Sequence, residues 1–410
     1  MLETSVSRAA TRCLLASAIA AHCLVGCVAS KASTPAAPLA VATNGGPGPA
    51  PGASATAPIA TPWPEATARF RGNGRWLGAD SGYSVDLREG RVLWLFGDTF
   101  IDPSRDGSRT NGPNQFIRNS VALQTAANDA AQYELSRSEL NFFTGPDRNG
   151  SATSFFAETA DGDWYWPLAG IRLSDGPLLL FRMRVAKVST GFGFKVTGWD
   201  AIAIDQPDEA PTAWHPRIVA DQSENAERLL GASVMQHGDY LYVYAAKNAD
   251  DDHTVYLARF ALTQLRGLSA GALSDPEWYT AQGYRGQSAS AGAVPAPVLA
   301  GGQIELSVHF QPQLEQFIEI QTRGLFTSDP QTGIVLRTSS TPEGPWSEPR
   351  TILRPSAPDH TDPTKLLTYA AKAHPEQRGA DLVVTYMQND VSSPTPNDAV
   401  YYPEVLRVQF

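Results

Sequence analysis

The sequence predicts an all-β protein, a five-bladed β-propeller, on three observations. Glycine and proline (34 and 31 residues) separate short runs rich in Val, Ile, Leu, Tyr and Phe, which is typical of strands joined by turns. The folded part, about 348 residues, is too long for one ordinary core unless the fold is modular. A turn residue leading into an apolar strand recurs at steps of about 70 residues, enough for a four-stranded blade. The five copies are Arg91–Phe96, Asp163–Leu168, Asp239–Tyr244, Gln303–Phe310 and Asp381–Tyr386. A two-sheet sandwich is the competing fold, but it rarely needs this length.

Residues 1–27 read as a secretion signal. Arg8 and Arg12 precede an apolar run that is too short to span a bilayer. The run ends in Leu-Val-Gly-Cys27, which resembles the lipobox of bacterial lipoproteins. That resemblance implies cleavage before Cys27, lipidation of Cys27 and a place in the cell envelope. Val28 after the cysteine points to the outer membrane in a two-membrane bacterium. An ordinary signal peptide that is cut elsewhere is the alternative.

Residues 28–62 are dominated by Ala, Pro, Ser, Thr and Gly, with Lys31 as the one charge. Such a segment buries no apolar face, so we expect a disordered tether, followed by the propeller at residues 63–410. All three cysteines (Cys13, Cys23 and Cys27) lie in the signal segment. The domain therefore has neither disulfides nor a cysteine-based metal site.

Charge and motifs exclude several classes of function. The formal net charge of −10 argues against nucleic acid as a partner. The chain has no Gly-x-Ser-x-Gly, His-Glu-x-x-His or phosphate-binding Gly-Lys-Ser/Thr motif, so serine esterases, zinc proteases and nucleotide hydrolases gain no support. We expect no cofactor and no bound metal, a monomer, and contact with a membrane only through the N-terminal lipid.

One predicted hairpin brings two carboxylates together. Arg91–Phe96 is apolar on both faces and is followed by Gly97 and Asp98. Upstream, Gly78–Leu87 reads as its partner strand, with Arg88-Glu89-Gly90 as a three-residue loop in which Gly90 takes a positive φ. If Leu87 faces Arg91, then Asp80 faces Asp98, and directly opposed residues have Cβ atoms roughly 4.5–5.5 Å apart.

Paired carboxyls at a propeller axis suit glycoside hydrolysis. One carboxyl protonates the leaving oxygen, and the other acts as nucleophile or as the base that activates water. Close like charges also raise one pKa, as a general acid requires. We therefore predict Asp80 and Asp98 as the catalytic pair, with their order open. In the alternative interpretation Asp98 only caps a turn.

Several segments resemble a bacterial propeller family that was long described only as a domain of unknown function and that contains endo-D-arabinanases. They include Gly78–Gly82, Leu93–Phe100 and Arg118–Val121, and the sharp match among them is Gly97–Phe100. Further similar segments are Gly231–Ser233, Ser307–Phe310, Val335–Ser347 and Tyr369–Glu376. The resemblance implies a five-bladed propeller with two catalytic aspartates near its start, which correspond to Asp80 and Asp98. It also implies an arabinan-type substrate, D-arabinan or arabinogalactan, although other five-bladed glycosidases act on L-arabinan, xylan, fructan or mannosides.

Four other residues are candidates for contacts with a sugar. Asn119, His309 and His374 could bond to hydroxyls, and Trp166 could stack on a sugar face. A satisfied polar or apolar core residue is the alternative for each of them.

Three functions therefore compete. A surface-tethered glycoside hydrolase is the first, a non-catalytic carbohydrate-binding or adhesion propeller the second, and a scaffold of the cell envelope the third. Carboxyls of Asp80 and Asp98 in different regions, more than about 10 Å apart, would rule out the hydrolase geometry.

Overall fold

The computed structural model describes residues 58–410 except 72–73, 104–106, 110–114, 127–132, 175, 191–192, 250–252, 269–270, 287–293, 378–380 and 393–397. The predicted signal segment, Cys27 and residues 28–57 of the predicted tether lie outside the described residues. No helix in the described part is long and apolar enough to cross a membrane.

Twenty-five strands and one short helix form the described part of the chain. The chain starts with β1 (Ile59–Pro62) and α1 (Pro64–Thr67). Blade 1 contains β2 (Trp76–Arg88), β3 (Arg91–Ile101), β4 (Gln115–Ile117), β5 (Ser120–Ala126) and β6 (Ser138–Phe143). A separate hairpin follows, formed by β7 (Gly145–Arg148) and β8 (Ser151–Thr153). Blade 2 contains β9 (Trp164–Arg172), β10 (Leu178–Lys187), β11 (Phe194–Ile204) and β12 (Arg217–Gln222).

The other three blades follow in chain order. Blade 3 contains β13 (Arg228–His237), β14 (Tyr240–Lys247), β15 (Val255–Ala261), β16 (Glu277–Thr280), β17 (Gly283–Gly286) and β18 (Pro297–Leu299). Blade 4 contains β19 (Leu306–Gln311), β20 (Gln316–Arg323), β21 (Gly333–Ser339) and β22 (Arg350–Leu353). Blade 5 contains β23 (Leu366–Ala373), β24 (Leu382–Asp390) and β25 (Glu404–Gln409). Single 3-10 turns occupy Ala68–Phe70, Leu135–Arg137, Pro211–Ala213 and Leu262–Leu265.

The five blades close into a ring, which confirms the predicted five-bladed propeller. The first strand of each blade contacts the first strand of the next, in the order β2, β9, β13, β19, β23 and back to β2. Apolar cores lie between the blades, with separate clusters at the contacts of blades 3 and 4, 4 and 5, and 5 and 1, and one cluster that spans blades 1 to 3. A blade therefore buries its faces against its neighbours.

The recurring sequence segment marks one strand in each blade, but not always the same strand. Asp163–Leu168 and Gln303–Phe310 fall on first strands, whereas the other three copies fall on second strands. The sequence pattern alone did not distinguish first from second strands. The reason is that both strands are buried on two faces, so both read as apolar runs.

The N-terminal strand completes blade 5. Ile59–Pro62 pairs antiparallel with β25, so the sheet order is β1-β25-β24-β23. The predicted tether ended at residue 62, and this boundary is wrong by four residues. Ile-Ala-Thr-Pro resembles the tether in composition, but an open edge of β25 gives it a partner and thereby makes it a strand.

The β2–β3 hairpin has the predicted register along most of its length. Tyr83 faces Leu95, and Asp86 faces Val92. The loop differs, because Arg88 pairs with Arg91 across a two-residue Glu89–Gly90 turn, and an irregularity after Asp86 takes up the extra residue. Gly90 has the expected positive φ of 77°. At the other end of the hairpin the register shifts again, because Ala79 faces Thr99 but Ser81 faces Phe96, so Gly97 and Asp98 together lie opposite Asp80.

Candidate active site

Two pockets open on the propeller axis, one at each end. The first, called here the axial pocket, has a volume of about 40 Å³. It is lined by Asp80, Ser81, Gly97, Asp98, Trp166, Pro167, Met183, Ile304, Glu305 and Tyr369. The second, called the opposite pocket, has about 430 Å³ and is lined by residues of all five first strands, each of which follows the axial-pocket residues of its own strand where there are any. The first strands therefore run in one direction along the axis, and the axial pocket lies where they begin.

An irregular stretch of β2 directs Asp80 into the axial pocket. The pairing with β3 shifts on both sides of Ser81, which has a positive φ of 76°, and Gly82 follows with a φ of 90°. Such bulges re-aim a side chain, and a non-glycine residue in this region of φ is strained. Gly97 lies directly against Asp80, because a Cβ at position 97 would be 3.5 Å from the Cβ of Asp80.

Asp80 is partly exposed and carries two hydroxyl donors. The hydroxyl of Tyr369 donates to its Oδ1, and that of Tyr401 donates to its Oδ2 at 2.7 Å. Burial and then the negative charge of Asp98 raise the pKa of Asp80 well above its usual range, and the two tyrosine hydrogen bonds only partly oppose them. Asp80 therefore keeps its proton to a higher pH than an aspartate in water does.

Asp98 lies on the same pocket but is only 1% exposed. Trp166 Nε1 donates to its Oδ1 at 2.9 Å, and Arg118 Nη1 lies 3.6 Å from its Oδ2. Burial raises the pKa of Asp98 to about 6, against the lowering effects of the Arg118 charge and the Trp166 hydrogen bond. At pH 7 and above, Asp98 is therefore mainly a carboxylate.

A third carboxylate, Glu305, also lines the axial pocket. Lys372 Nζ lies 2.9 Å from its Oε1, and Ser81 Oγ donates to the same oxygen at 2.8 Å. Lys372 is only 1% exposed, and its burial lowers its pKa, an effect that the Glu305 charge opposes. The Glu305 charge also adds to the forces that raise the pKa of Asp80.

Asp80 and Asp98 lie in environments that favour different protonation states. Asp80 faces the pocket with a strongly raised pKa, while Asp98 has an indole donor and a guanidinium that favour its ionised form. Carboxyl groups whose environments push their pKa values apart are the usual basis of acid and base assignments. The predicted pair is thus brought together at the axis.

Two of the four predicted sugar contacts lie on blades 1 and 2, and they differ in accessibility. Trp166 lines the axial pocket and is 8% exposed, but its indole is engaged with Asp98 and its ring packs edge-on against Phe194. Asn119 is fully buried. Its amide nitrogen donates to Phe156 O and Tyr165 O, and its oxygen accepts from Phe156 N. The predicted sugar contact of Asn119 is therefore corrected to a structural bridge between blade 1 and blade 2.

The two predicted histidines line the opposite pocket and not the axial pocket. His374 bonds to Ser84 Oγ and to Thr385 Oγ1, and burial lowers its pKa to about 3. His309 Nε2 bonds to Gln311 Oε1, and burial lowers its pKa to about 4. Both imidazoles are neutral in this setting. The prediction that they contact the sugar beside Asp80 and Asp98 is wrong for this geometry, because each lies in the later half of its blade's first strand or beyond it.

Sequence reasoning missed Glu305, Tyr369, Tyr401 and the role of Lys372. Glu305 lay inside the fourth recurring segment as its one charged residue, and this signal could have been used. Tyr369 and Lys372 lay within a segment that was already singled out by resemblance. Tyr401 carried no local signal. Among the residues with described positions, no group of three or more His, Cys, Asp or Glu side chains could hold a metal ion.

The comparisons with known proteins agree with this fold. The model of the family described as a domain of unknown function (DUF5005) matches residues 67–408. A protein from Bacteroides ovatus, whose description assigns it only provisionally to the hydrolases, aligns with a TM-score of 0.64 and 17% identity, over 86% of this chain and 90% of its own. No curated protein matches the chain.

Two solved enzymes align more distantly. An α-L-arabinofuranosidase from Podospora anserina aligns with a TM-score of 0.44 and 9% identity, over 83% of this chain and 92% of its own. The endo-arabinase from Bacteroides thetaiotaomicron gives 0.41 and 13%, over 82% and 95%. The Bacteroides ovatus alignment shows a shared fold, whereas these two are too loose to support any conclusion.

Proposed function

The chain belongs to the DUF5005 family, and we propose from the chemistry of its axial pocket that it is a glycoside hydrolase that cleaves a polysaccharide. The observation that carries the proposal is the pair of carboxyls on one pocket in different environments, the partly exposed Asp80 and the buried Asp98. Glycosidic bond cleavage needs such a pair, one protonated and one ionised.

We assign the proton to Asp80. It is the more accessible of the two, and burial and the charge of Asp98 both favour its neutral form. Asp98 then supplies the carboxylate, as nucleophile or as the base that activates water, held by Trp166 and beside Arg118. Tyr369 and Tyr401 fix the orientation of the Asp80 carboxyl.

The proposed substrate is an arabinan-type polysaccharide, D-arabinan or arabinogalactan, and the proposed activity is that of an endo-D-arabinanase. Support comes from the resemblance of Gly78–Gly82 and Leu93–Phe100, which contain the two aspartates. We also propose that the chain is a monomeric lipoprotein of the cell envelope, tethered through Cys27. Surface tethering would place the enzyme beside polysaccharide that is too large to enter a cell.

The test is substitution of each aspartate by its isosteric amide. We expect Asp80→Asn and Asp98→Asn each to lower the release of oligosaccharides by about a thousandfold or more, because general acid–base catalysis contributes 10²–10⁴-fold. Purified protein is incubated with arabinogalactan, L-arabinan and xylan, and the products are separated by chromatography. Asp239→Asn, an exposed aspartate on the β13–β14 turn, is the matched control.

Wild-type turnover by either folded amide variant would remove that residue from the catalytic pair. A wild-type protein that binds one of the polymers but releases no product would favour the carbohydrate-binding alternative. Circular dichroism of each variant shows whether it is folded.

A further inference from the structure

A cleft between blades 2 and 3 lies next to the axial pocket, and we infer that it binds the sugar residues that adjoin the bond cut in that pocket. The blade 2–3 cleft has a volume of about 490 Å³. Its walls include Trp199, Gln222, Asn225, Arg228, Leu230 and Trp278. The inference rests on the proposed function, because it supplies the polymer-binding part of the same site.

The size of the axial pocket requires a second binding surface. Its 40 Å³ are little more than the roughly 30 Å³ of one water molecule, so it takes a reacting group but not a chain of sugars. Ligand sites usually have volumes of about 300–1,000 Å³. The blade 2–3 cleft lies within this range, and the axial pocket does not.

A row of paired residues across blade 2 connects the two sites. Trp166 pairs with Met183, Met183 with Trp199, and Trp199 with Gln222. Directly paired residues of adjacent strands project from the same face of a sheet, about 4.8 Å from strand to strand. Trp166 and Met183 line the axial pocket, whereas Trp199 and Gln222 line the cleft. Only one strand spacing therefore separates the linings of the two sites.

Both sites also open at the same end of the propeller. The axial pocket lies where the first strands begin, as shown by Asp80 on β2 and Trp166 on β9. The cleft reaches β13 at Arg228 and Leu230, which are likewise at the beginning of a first strand. A chain that leaves the axial pocket across this end of blades 2 and 3 therefore reaches the cleft.

The lining of the cleft suits a neutral sugar chain. Trp278 is half-buried beside the nearly buried Trp199, and aromatic rings pack against the C–H faces of sugars while their polar edges stay hydrated. Gln222 and Asn225 are exposed on the wall and offer amide donors and acceptors to hydroxyls.

The charges of the cleft do not favour an anionic ligand. Arg228 is paired with Glu227 at 2.7 Å and lies over the ring of Tyr256. Asp221 on the opposite wall adds a negative charge. An anion such as a phosphorylated chain would therefore meet a carboxylate and an already neutralised guanidinium, so a neutral polysaccharide is the occupant that fits.

The first test measures binding without catalysis. The full chain with Asp80→Asn is run in native gels that contain arabinogalactan, L-arabinan or xylan. We expect retardation in at least one gel, and about tenfold weaker affinity after the further change Trp278→Ala, since loss of an aromatic contact is worth about one power of ten in affinity. Trp346→Ala removes a half-buried tryptophan on a turn of blade 4 and is the matched control. It should retain the affinity.

Because Trp278 packs against the core, the double change Gln222→Ala and Asn225→Ala is made as well, at two exposed positions. It should also weaken retardation. Retained retardation in this double variant and in folded Trp278→Ala would overturn the cleft assignment, and so would the absence of retardation of the Asp80→Asn chain in all three gels.

The second test separates the cleft from the proposed function. In the background with Asp80 intact, Trp278→Ala should raise KM on the polymer that retards the chain more than it raises KM on the shortest oligosaccharide that is cleaved. If no polymer is cut but Trp278→Ala still abolishes binding, the hydrolase proposal fails and the cleft remains. If polymers are cut with equal KM by Trp278→Ala and Trp346→Ala, the hydrolase remains and the cleft proposal fails.

Discussion

At the scale of single residues, the axial pocket depends on the absence of a side chain at Gly97. The position of a Cβ there lies 3.5 Å from Asp80 Cβ and 3.6 Å from Trp166 Cδ1, both ordinary contact distances. A methyl group could therefore be added without a clash, yet it would stand inside a pocket of about 40 Å³. A substitution at Gly97 therefore changes the volume of the axial pocket without changing the stability of the fold.

We expect Gly97→Ala to lower kcat/KM by about a hundredfold, because a methyl group takes most of a space hardly larger than one water. Its free energy of unfolding should stay within about 1 kcal/mol of the wild type, since no backbone strain is added. Gly176→Ala, at a glycine with no heavy atom within 4 Å, is the control. Unchanged kcat/KM in Gly97→Ala would show that substrate does not enter this pocket.

The raised pKa of Asp98 makes the free energy of unfolding depend on pH. Between about pH 4 and 6 the folded protein holds a proton on Asp98 that the unfolded chain has already released, so the free energy of unfolding falls as the pH rises through this window. Asn carries no titrating proton, and Arg118 is partly exposed and can bind water instead. Asp98→Asn lacks this loss, so its stability relative to the wild type should increase as the pH rises.

We expect Asp98→Asn to unfold with a free energy up to about 3 kcal/mol above that of the wild type at pH 7.5, from a shift of roughly two pKa units. The difference should vanish near pH 4, and activity should be lost at both values. Urea unfolding of both proteins at the two pH values measures the difference in their free energies of unfolding. A difference that does not depend on pH would show that Asp98 titrates near its usual pKa.

At the scale of strands, β2 holds the site together through a close approach to blade 5. Gly78 has a φ of 116°, and a Cβ there would lie 2.2 Å from the carbonyl oxygen of Tyr401. Tyr401 itself has a positive φ of 70°, and its hydroxyl reaches both Asp80 Oδ2 and the backbone oxygen of Asp98. Glycine at 78 is therefore needed for the Tyr401 backbone to lie where its hydroxyl can serve the pair.

We expect Gly78→Ala to lower the free energy of unfolding by about 1–3 kcal/mol, the usual cost of a strained backbone, and to lower kcat because Tyr401 is displaced. Gly74→Ala also introduces a side chain at a positive φ, but meets no heavy atom within 4 Å, and should lose less stability and no activity. Denaturant unfolding and kinetics on the same samples provide both readouts. Equal losses in the two variants would assign the effect to φ alone.

The hairpin shows why part of the site could be predicted from the sequence. Asp80 and Asp98 are 18 residues apart on neighbouring strands, so pairing from Val85–Leu93 onward brings them to the same end of the hairpin, although the register shifts around Ser81. Glu305 and Tyr401 reach the pocket from other blades, and no local pattern fixes their distance from Asp80. Asn119 was mistaken because a buried bridging amide and a sugar-binding amide look alike in sequence.

At the scale of the whole molecule, the number of blades followed from the spacing of apolar segments, but the strand that completes blade 5 did not. A strand such as Ile59–Pro62 exists only because β25 leaves an edge open beside it. Ala60 also packs against the core between blades 4 and 5. Four residues that look like linker therefore join the first part of the chain to the last.

We expect the free energy of unfolding of a chain that starts at Trp63 to be about 2–4 kcal/mol lower than that of one that starts at Pro58. The shorter chain loses several strand hydrogen bonds and the packing of Ala60. Urea unfolding of the two truncated proteins measures the difference. The chain that starts at Pro58 keeps all of β1 and serves as the control. Equal stabilities would show that β1 adds nothing to the closed ring.

The two hydroxyl donors of Asp80 are synthesised late in the chain. Tyr369 and Tyr401 follow Asp80 by 289 and 321 residues. A ribosome makes the chain from its N-terminus, at about 5–20 residues per second. The two tyrosines that orient Asp80 are therefore synthesised long after Asp80 itself. A chain that is interrupted or clipped before residue 401 has both carboxyls of the pair and lacks the Tyr401 donor. The full set of donors to Asp80 therefore exists only after nearly the whole chain has been made.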